Sequence, residues 1–144
     1  MTEKTTNELK KFLADNYALY IKLHNYHYNV TGPQFMPLHQ GFESAYTELT
    51  TAIDDVAERI RQLGEKVDIT LKNIDSWKSI SDPDHNKSAE DMVKDIIVSL
   101  ETMVKSAKDI ESTASETGDI ATSDLMTQRI SVMEKNIWLL KSCF

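Results

Sequence analysis

The strongest constraint on this chain is the rhythm of its apolar residues, which recur every three or four positions through four long stretches. Leu9, Leu13, Asn16, Tyr20, Leu23, His27 and Val30 mark the first stretch. Phe35, Leu38, Phe42, Ala45, Leu49, Ala52, Val56, Ile60 and Leu63 mark the second. The third runs through Ala89, Met92, Ile96, Leu100, Met103, Ala107, Ile110 and Ala114, and the fourth through Met126, Ile130, Met133, Ile137 and Leu140. This is helical spacing, and little interrupts it. The 144 residues include only four glycines and three prolines, about 5% against an average near 12%. A β-sandwich or a Gly-rich phosphate-binding fold would need more turn residues.

The breaks divide the chain into four helices. Thr31-Gly32-Pro33 closes the first, Gly64 the second, and Gly118 separates the last two. Ser88 followed by Glu90 and Asp91 is a capping-box pattern at the start of the third, and Asp119 can cap the fourth. Glu65 to Lys87 is a polar connection of about 23 residues, too long to be structureless in a compact domain. A short helix is expected inside it, over Leu71 to Ile80. The fold expected is all-α, a ferritin-like four-helix bundle with one long crossover between helices 2 and 3, spanning 1–144 as one domain.

Several function classes drop out. The longest apolar run, Tyr17 to Ile21, is five residues, far short of the ~18 of a membrane helix. No signal-peptide layout opens the chain, so a cytoplasmic protein is expected. The lone Cys143 excludes an internal disulfide framework and a Cys-based zinc site. Sixteen basic and 23 acidic residues leave a net charge of −7, unfavourable for DNA and suited to attracting cations. DNA compaction by an architectural protein is therefore the rival reading, and DNA binding is not expected.

The polar pattern within the second helix is the informative part. His39, Glu43, Asp54 and Glu58 each follow a core position by one residue, forming a row beside the apolar stripe. His39 and Glu43 share one helix face, as do Asp54 and Glu58. A solvated face with Arg59 and Arg61 as counter-ions reads equally well from spacing alone. Along one helix His39 and Asp54 are about 22 Å apart, so they cannot share an ion within a chain. Two antiparallel copies about a two-fold axis change that. The pairs His39 with Glu58 and Glu43 with Asp54 then face one another, because each pair has the same sum of residue numbers. Imidazole plus carboxylate suits Fe(II), Mn(II) or Zn(II). His27, on the first helix's apolar stripe, taken alone is more often a core histidine than a ligand.

The run His27-Tyr28-Asn29 to Leu38-His39, then Phe42-Glu43 and Asp54-Asp55-Val56-Ala57-Glu58-Arg59, resembles the Dps family of mini-ferritins. The ending Glu134-Lys135-Asn136-Ile137-Trp138 is similar to that family's last helix. The spacing His-x11-His-x14-Asp-x3-Glu is specific, and the likeness covers essentially the whole chain. The resemblance implies a dodecameric shell whose ferroxidase centres lie between two-fold-related subunits. It implies that Fe(II) is oxidised to Fe(III) there, with hydrogen peroxide, and that ferric mineral is stored inside. His27 and His39 would come from one subunit and Asp54 and Glu58 from its partner, with Glu43 assisting. Zn or Mn could occupy the same site. Acidic residues near the start of the family's last helix line three-fold pores, which points to Asp119 and Asp124. The family usually carries Trp where this chain has Tyr28, and its Lys-rich DNA-binding tail has no counterpart here.

The remaining residues have plainer readings. His24 is expected in packing, His85 in solvent, and Trp138 with Met92, Met103, Met126 and Met133 in the core. Gly41 inside the second helix costs about 1 kcal/mol relative to Ala, with close packing the available reason.

Overall fold

The computed structural model describes residues 2–144, which form five helices: α1 Thr2–Asn29, α2 Phe35–Gln62, α3 Leu71–Trp77, α4 Ala89–Glu116 and α5 Ile120–Lys141. The four long helices are those that the apolar spacing predicts. Their ends are set by local chemistry. Ser88 Oγ accepts the Asp91 N–H at the start of α4, and an Asp119 carboxylate oxygen accepts the Thr122 N–H at the start of α5. Gly118 has φ +74°, which L side chains rarely adopt, and it closes α4. Its N–H donates to Ser115 O, and the Asp119 N–H donates to Ala114 O. One glycine and one aspartate thus end α4 and begin α5 within three residues.

Cross-helix contacts fix the directions. Lys10 lies near Glu65, and His27 bonds to His39, so α1 and α2 run antiparallel. Lys22 reaches Ser99 while Thr113 donates to Glu8, so α1 and α4 are antiparallel too. Arg59 pairs with Asp119, and Glu48 with Arg129, so α2 and α5 are antiparallel. The order is therefore up-down-down-up, and the crossover is the 63–88 connection. The core along its axis holds Phe12, Leu13, Leu23, Phe42, Val56, Ile60, Ile96, Met103 and Met126, all nearly fully buried. Each such side chain stabilises the fold by about 1.5–3 kcal/mol. The four methionines are buried as expected, and His85 is exposed.

Three expectations need correction. The short helix stops at Trp77 rather than Ile80. Buried Asp15 of α1 takes the Ser79 N–H and Ser79 Oγ, each at 2.6 Å, and the Ile80 N–H at 3.3 Å. Those bonds hold the chain extended after Lys78. Trp138 is 63% exposed rather than in the core. Phe35 is also substantially exposed, and it lies against the His39 ring instead of in the core.

α1 carries the bundle's polar interior. Lys22 Nζ is fully buried and donates to Ser81 Oγ, Asp95 Oδ1 and Ser99 Oγ at 2.9–3.1 Å. Tyr26 OH donates to Asp95 Oδ2 and accepts from the Asp84 N–H. The network ties the crossover to α1 and α4. Burial lowers the Lys22 ammonium's pKa while Asp95 opposes the shift. Burial and the bond to Asp95 raise that of the Tyr26 phenol.

Candidate metal centre

The short 30–34 connection folds α2 back on α1, which brings His27, at the end of α1, against His39, one turn into α2. Their rings stack at 3.7 Å with an 11° tilt. Each bonds through Nδ1 to the other's backbone carbonyl, both at 2.7 Å. A carbonyl only accepts, so each imidazole is protonated on Nδ1, and in a neutral ring the lone pair is then on Nε2. Both Nε2 atoms are left clear of any backbone hydrogen bond. Fixing a histidine by donation from its other ring nitrogen is how metal-ligating imidazoles are oriented. Phe35 stacks on His39 at 4.9 Å, Tyr46 meets His27 edge-on at 5.4 Å, and Glu43 Oε1 is 3.8 Å from His27 Nε2.

His24 takes the packing role expected of it. Its ring stacks on Tyr46 at 3.8 Å, and its Nδ1 donates to Tyr20 O at 2.8 Å. Tyr28, 69% exposed, has its ring 5.4 Å from that of His27. Burial and the nearby Glu43 raise the Tyr46 phenol's pKa.

Asp54 and Glu58 stand at the other end of α2, both exposed and one turn apart. Asp54, through its charge and a hydrogen bond, holds the Glu58 carboxyl above its ordinary value. Neither carboxylate has a cation within ion-pair distance among the described residues. Arg59 instead turns to Asp119 at 2.7 Å and to Thr122 at 2.9 Å, and Arg61 donates to Glu65 O. The reading of a salt-bridged surface face thus loses its counter-ions.

Among the described residues, no three His, Cys, Asp or Glu side chains of one chain converge as a metal site. The fold assembles two half-sets: imidazoles with Glu43 at one end of α2, and carboxylates at the other. Neutral imidazole nitrogen with anionic oxygen fits Fe(II), Mn(II) or Zn(II) in donor type. Asp119 and Asp124 belong to neither half-set. Asp119 is half-buried and engaged by Thr122 and Arg59; Asp124 is exposed and accepts only from Gln128. Sequence reasoning missed Phe35 and Tyr46 as walls around the histidines, because aromatic residues at helical spacing read as core.

The ferritin-like domain model matches residues 6–144. DNA protection during starvation protein 2 of Bacillus anthracis is 38% identical over 99% of this chain and 97% of that protein. The crystal structure of a Dps protein from Bacillus brevis superposes with a TM-score of 0.95 at 33% identity, covering 98% of this chain and 95% of that one. The chain belongs to the Dps family of ferritin-like proteins. A Dps structure from Vibrio cholerae matches with a TM-score of 0.94 at 30% identity, over 98% of this chain and 89% of that one. That protein is described as one of a broad superfamily of ferritin-like diiron-carboxylate proteins. In this Dps-family chain, the imidazole and carboxylate side chains of the two half-sets lie on α1 and α2. No helix among the described residues is long and apolar enough to cross a membrane.

Proposed function

We propose that this chain acts as one ferritin-like domain that oxidises Fe(II) with hydrogen peroxide at centres shared between two chains, and stores the ferric product inside a hollow dodecamer. The observation that carries this reading is the His27–His39 clasp, which leaves both Nε2 atoms free as ligands. Asp54 and Glu58, anionic and without cationic partners, supply the opposite half from a two-fold-related chain. Glu43, beside His27, is the accessory carboxylate.

Iron is the substrate. Two Fe(II) ions each give one electron to hydrogen peroxide; its O–O bond breaks, and with two protons taken from solvent it becomes two waters. The carboxylates stabilise the rising positive charge, and the imidazoles hold the ferrous form. The clasp keeps the donors fixed between turnovers, and each Nδ1 keeps its proton, donated to a backbone carbonyl. Zn and Mn compete for the same donors. The ferric ions hydrolyse and collect as mineral, and two-electron reduction of peroxide avoids hydroxyl radicals. Asp119 and Asp124, near the start of α5, line the pore through which iron enters.

The protein is cytoplasmic in this reading and leaves DNA alone. At −7 per chain, twelve chains carry a formal −84, which repels phosphate within a Debye length of ~8 Å. DNA mobility in a gel at 150 mM salt should be unchanged; a clear shift without added divalent metal would favour the compaction reading.

Complementation tests the shared site. His39→Ala and Asp54→Ala should each abolish most ferroxidase activity, since every site lacks a ligand. After joint unfolding and reassembly, one site of each mixed dimer lacks both ligands and the other is whole. Random mixing then restores about a quarter of all sites. Activity no greater than that of the separate variants, in samples shown to contain mixed dimers, would refute the shared centre.

A further inference from the structure

α2 holds two residues that its apolar stripe does not explain. A Cβ on Gly41 would meet no atom within 4 Å, so close packing does not account for that glycine, and the structure gives it no task. Tyr46 is different. It stands three residues after Glu43 and seven after His39, on the face of α2 that carries the ligand row. Its ring has three ring neighbours, all on α1. His24 stacks on it at 3.8 Å and 20°, Tyr20 meets it at 5.8 Å and 77°, and His27 meets it at 5.4 Å and 87°. His24 is itself held in place, by donating from Nδ1 to Tyr20 O and by the Tyr20 ring at 4.4 Å.

The clasp alone does not fix the His27 imidazole. Its hydrogen bond anchors the ring at Nδ1, and the chain anchors it at Cβ. Nε2 lies off the line joining those two points, so rocking of the ring about that line swings Nε2. His39 lies parallel to the ring, at 11°, and Phe35 extends the stack beyond His39. A parallel neighbour opposes tilting toward itself. A ring crossing at 87° obstructs the other direction, and only Tyr46 crosses His27 at such an angle from a half-buried position.

We propose that Tyr46 is a positioning residue for the metal centre: braced by His24 and Tyr20, it holds the His27 ring at the angle that aims Nε2 at the ion. This rests on the reading of His27 as an iron ligand. The ring does the work, because the contacts to His24, Tyr20 and His27 are ring contacts. All of them join α1 to α2 of one chain, so the brace needs nothing from a second copy. A leucine at position 46 would still fill space between the two helices, but it has no flat ring to set against His27.

Titration of the assembled, metal-free protein with Co(II), read by visible absorption and with no oxidant present, tests the brace. Tyr46→Leu should weaken Co(II) binding about tenfold, the scale on which the supports of metal ligands act. Tyr46→Phe keeps the ring and should bind as the parent does. His24→Leu leaves Tyr46 but removes its support, and should weaken binding by less; it carries the test if Tyr46→Leu does not assemble. In a His27→Ala background, Tyr46→Leu should change nothing further, because the ring it positions is gone. Parent-like binding in both leucine variants, or the same weakening with and without His27, would overturn the brace. Binding by Tyr46→Phe as weak as by Tyr46→Leu would overturn it too. If His27→Ala binds Co(II) as tightly as the parent, His27 is no ligand, and the underlying reading falls together with the brace.

Discussion

Asp95 and Asp54 are both helical aspartates, and the protein treats them in opposite ways. Asp95 of α4 receives Lys22 Nζ at 3.1 Å, Tyr26 OH at 2.5 Å and Ser81 Oγ at 3.4 Å. Asp54 of α2 is exposed and has another anion, Glu58, as its neighbour. Burial explains the first arrangement, because a charge taken out of water must be paired and hydrogen-bonded. Nothing in folding explains the second, since neighbouring like charges on a surface only repel. In the proposed reading, the contrast separates residues kept for the fold from residues kept for a cation that arrives later.

The largest expected effect is a double dissociation. Asp95→Ala strands the buried Lys22 ammonium and should cost about 3 kcal/mol of stability. Oxidation of Fe(II) per folded chain should be unchanged. Asp54→Ala should leave stability within about 0.5 kcal/mol and lower the oxidation rate at least about tenfold, as even the partners of metal ligands are worth that much. Urea denaturation of metal-free protein and initial rates of Fe(II) oxidation measure the two quantities. Comparable destabilisation by both substitutions would erase the distinction.

The pH dependence of the metal-free protein sharpens it next. Glu58 titrates above its ordinary 4.5 because of Asp54. The native chain then holds more protons than the unfolded one in the window above 4.5. Glu58's contribution therefore falls as pH rises through that window and improves on acidification. Asp119 behaves oppositely. Burial pushes its carboxyl up, but bonds from Thr122 and Arg59 outweigh that and bring it below 3.8. Its contribution is present above pH 3.8 and is lost as pH falls further. Thermal melts from pH 7 to 3 should show Glu58→Gln flattening the slope above 4.5 and Asp119→Ala flattening the slope below 3.8. Unchanged slopes in both variants would show that neither environment survives in solution.

Much of this was legible in the sequence. The α2 stripe and the ends at Ser88, Gly118 and Asp119 follow from period and capping chemistry, which are local. The polar row of His39, Glu43, Asp54 and Glu58 on α2 was legible for the same reason, since i and i+4 positions share a face. What the sequence concealed depends on contacts between distant residues. That Asp15 would catch Ser79 sixty-four residues later, or that Arg59 would choose Asp119 over its own-helix carboxylates, leaves no trace in local spacing. Trp138 misled because an aromatic at core spacing reads as core, whereas α5 has an apolar periphery beyond the one face it buries. The reciprocal bonds of His27 and His39 were hidden too, because they involve backbone carbonyls that every residue carries.

The smallest expected effect applies the same contrast to the start of α5. Asp119 is already used, as helix cap and as partner of Arg59, whereas Asp124 is exposed and meets only the Gln128 amide. If carboxylates left without a cation are the ones that attract iron, Asp124 contributes the field and Asp119 the scaffold. Asp124→Asn should then slow iron uptake a few-fold at low ionic strength, with stability unchanged. The deficit should shrink toward 1 M salt, where the Debye length falls to about 3 Å. Asp119→Ala should instead cost about 1 kcal/mol through the lost cap and affect uptake less than Asp124→Asn does. Stopped-flow uptake at two salt concentrations, with a melt of each variant, decides between them. A larger uptake defect in Asp119→Ala than in Asp124→Asn, at equal folded fraction, would mean that an ion-paired carboxylate still guides iron, and the division between paired and unpaired acids would fail at this end of the molecule.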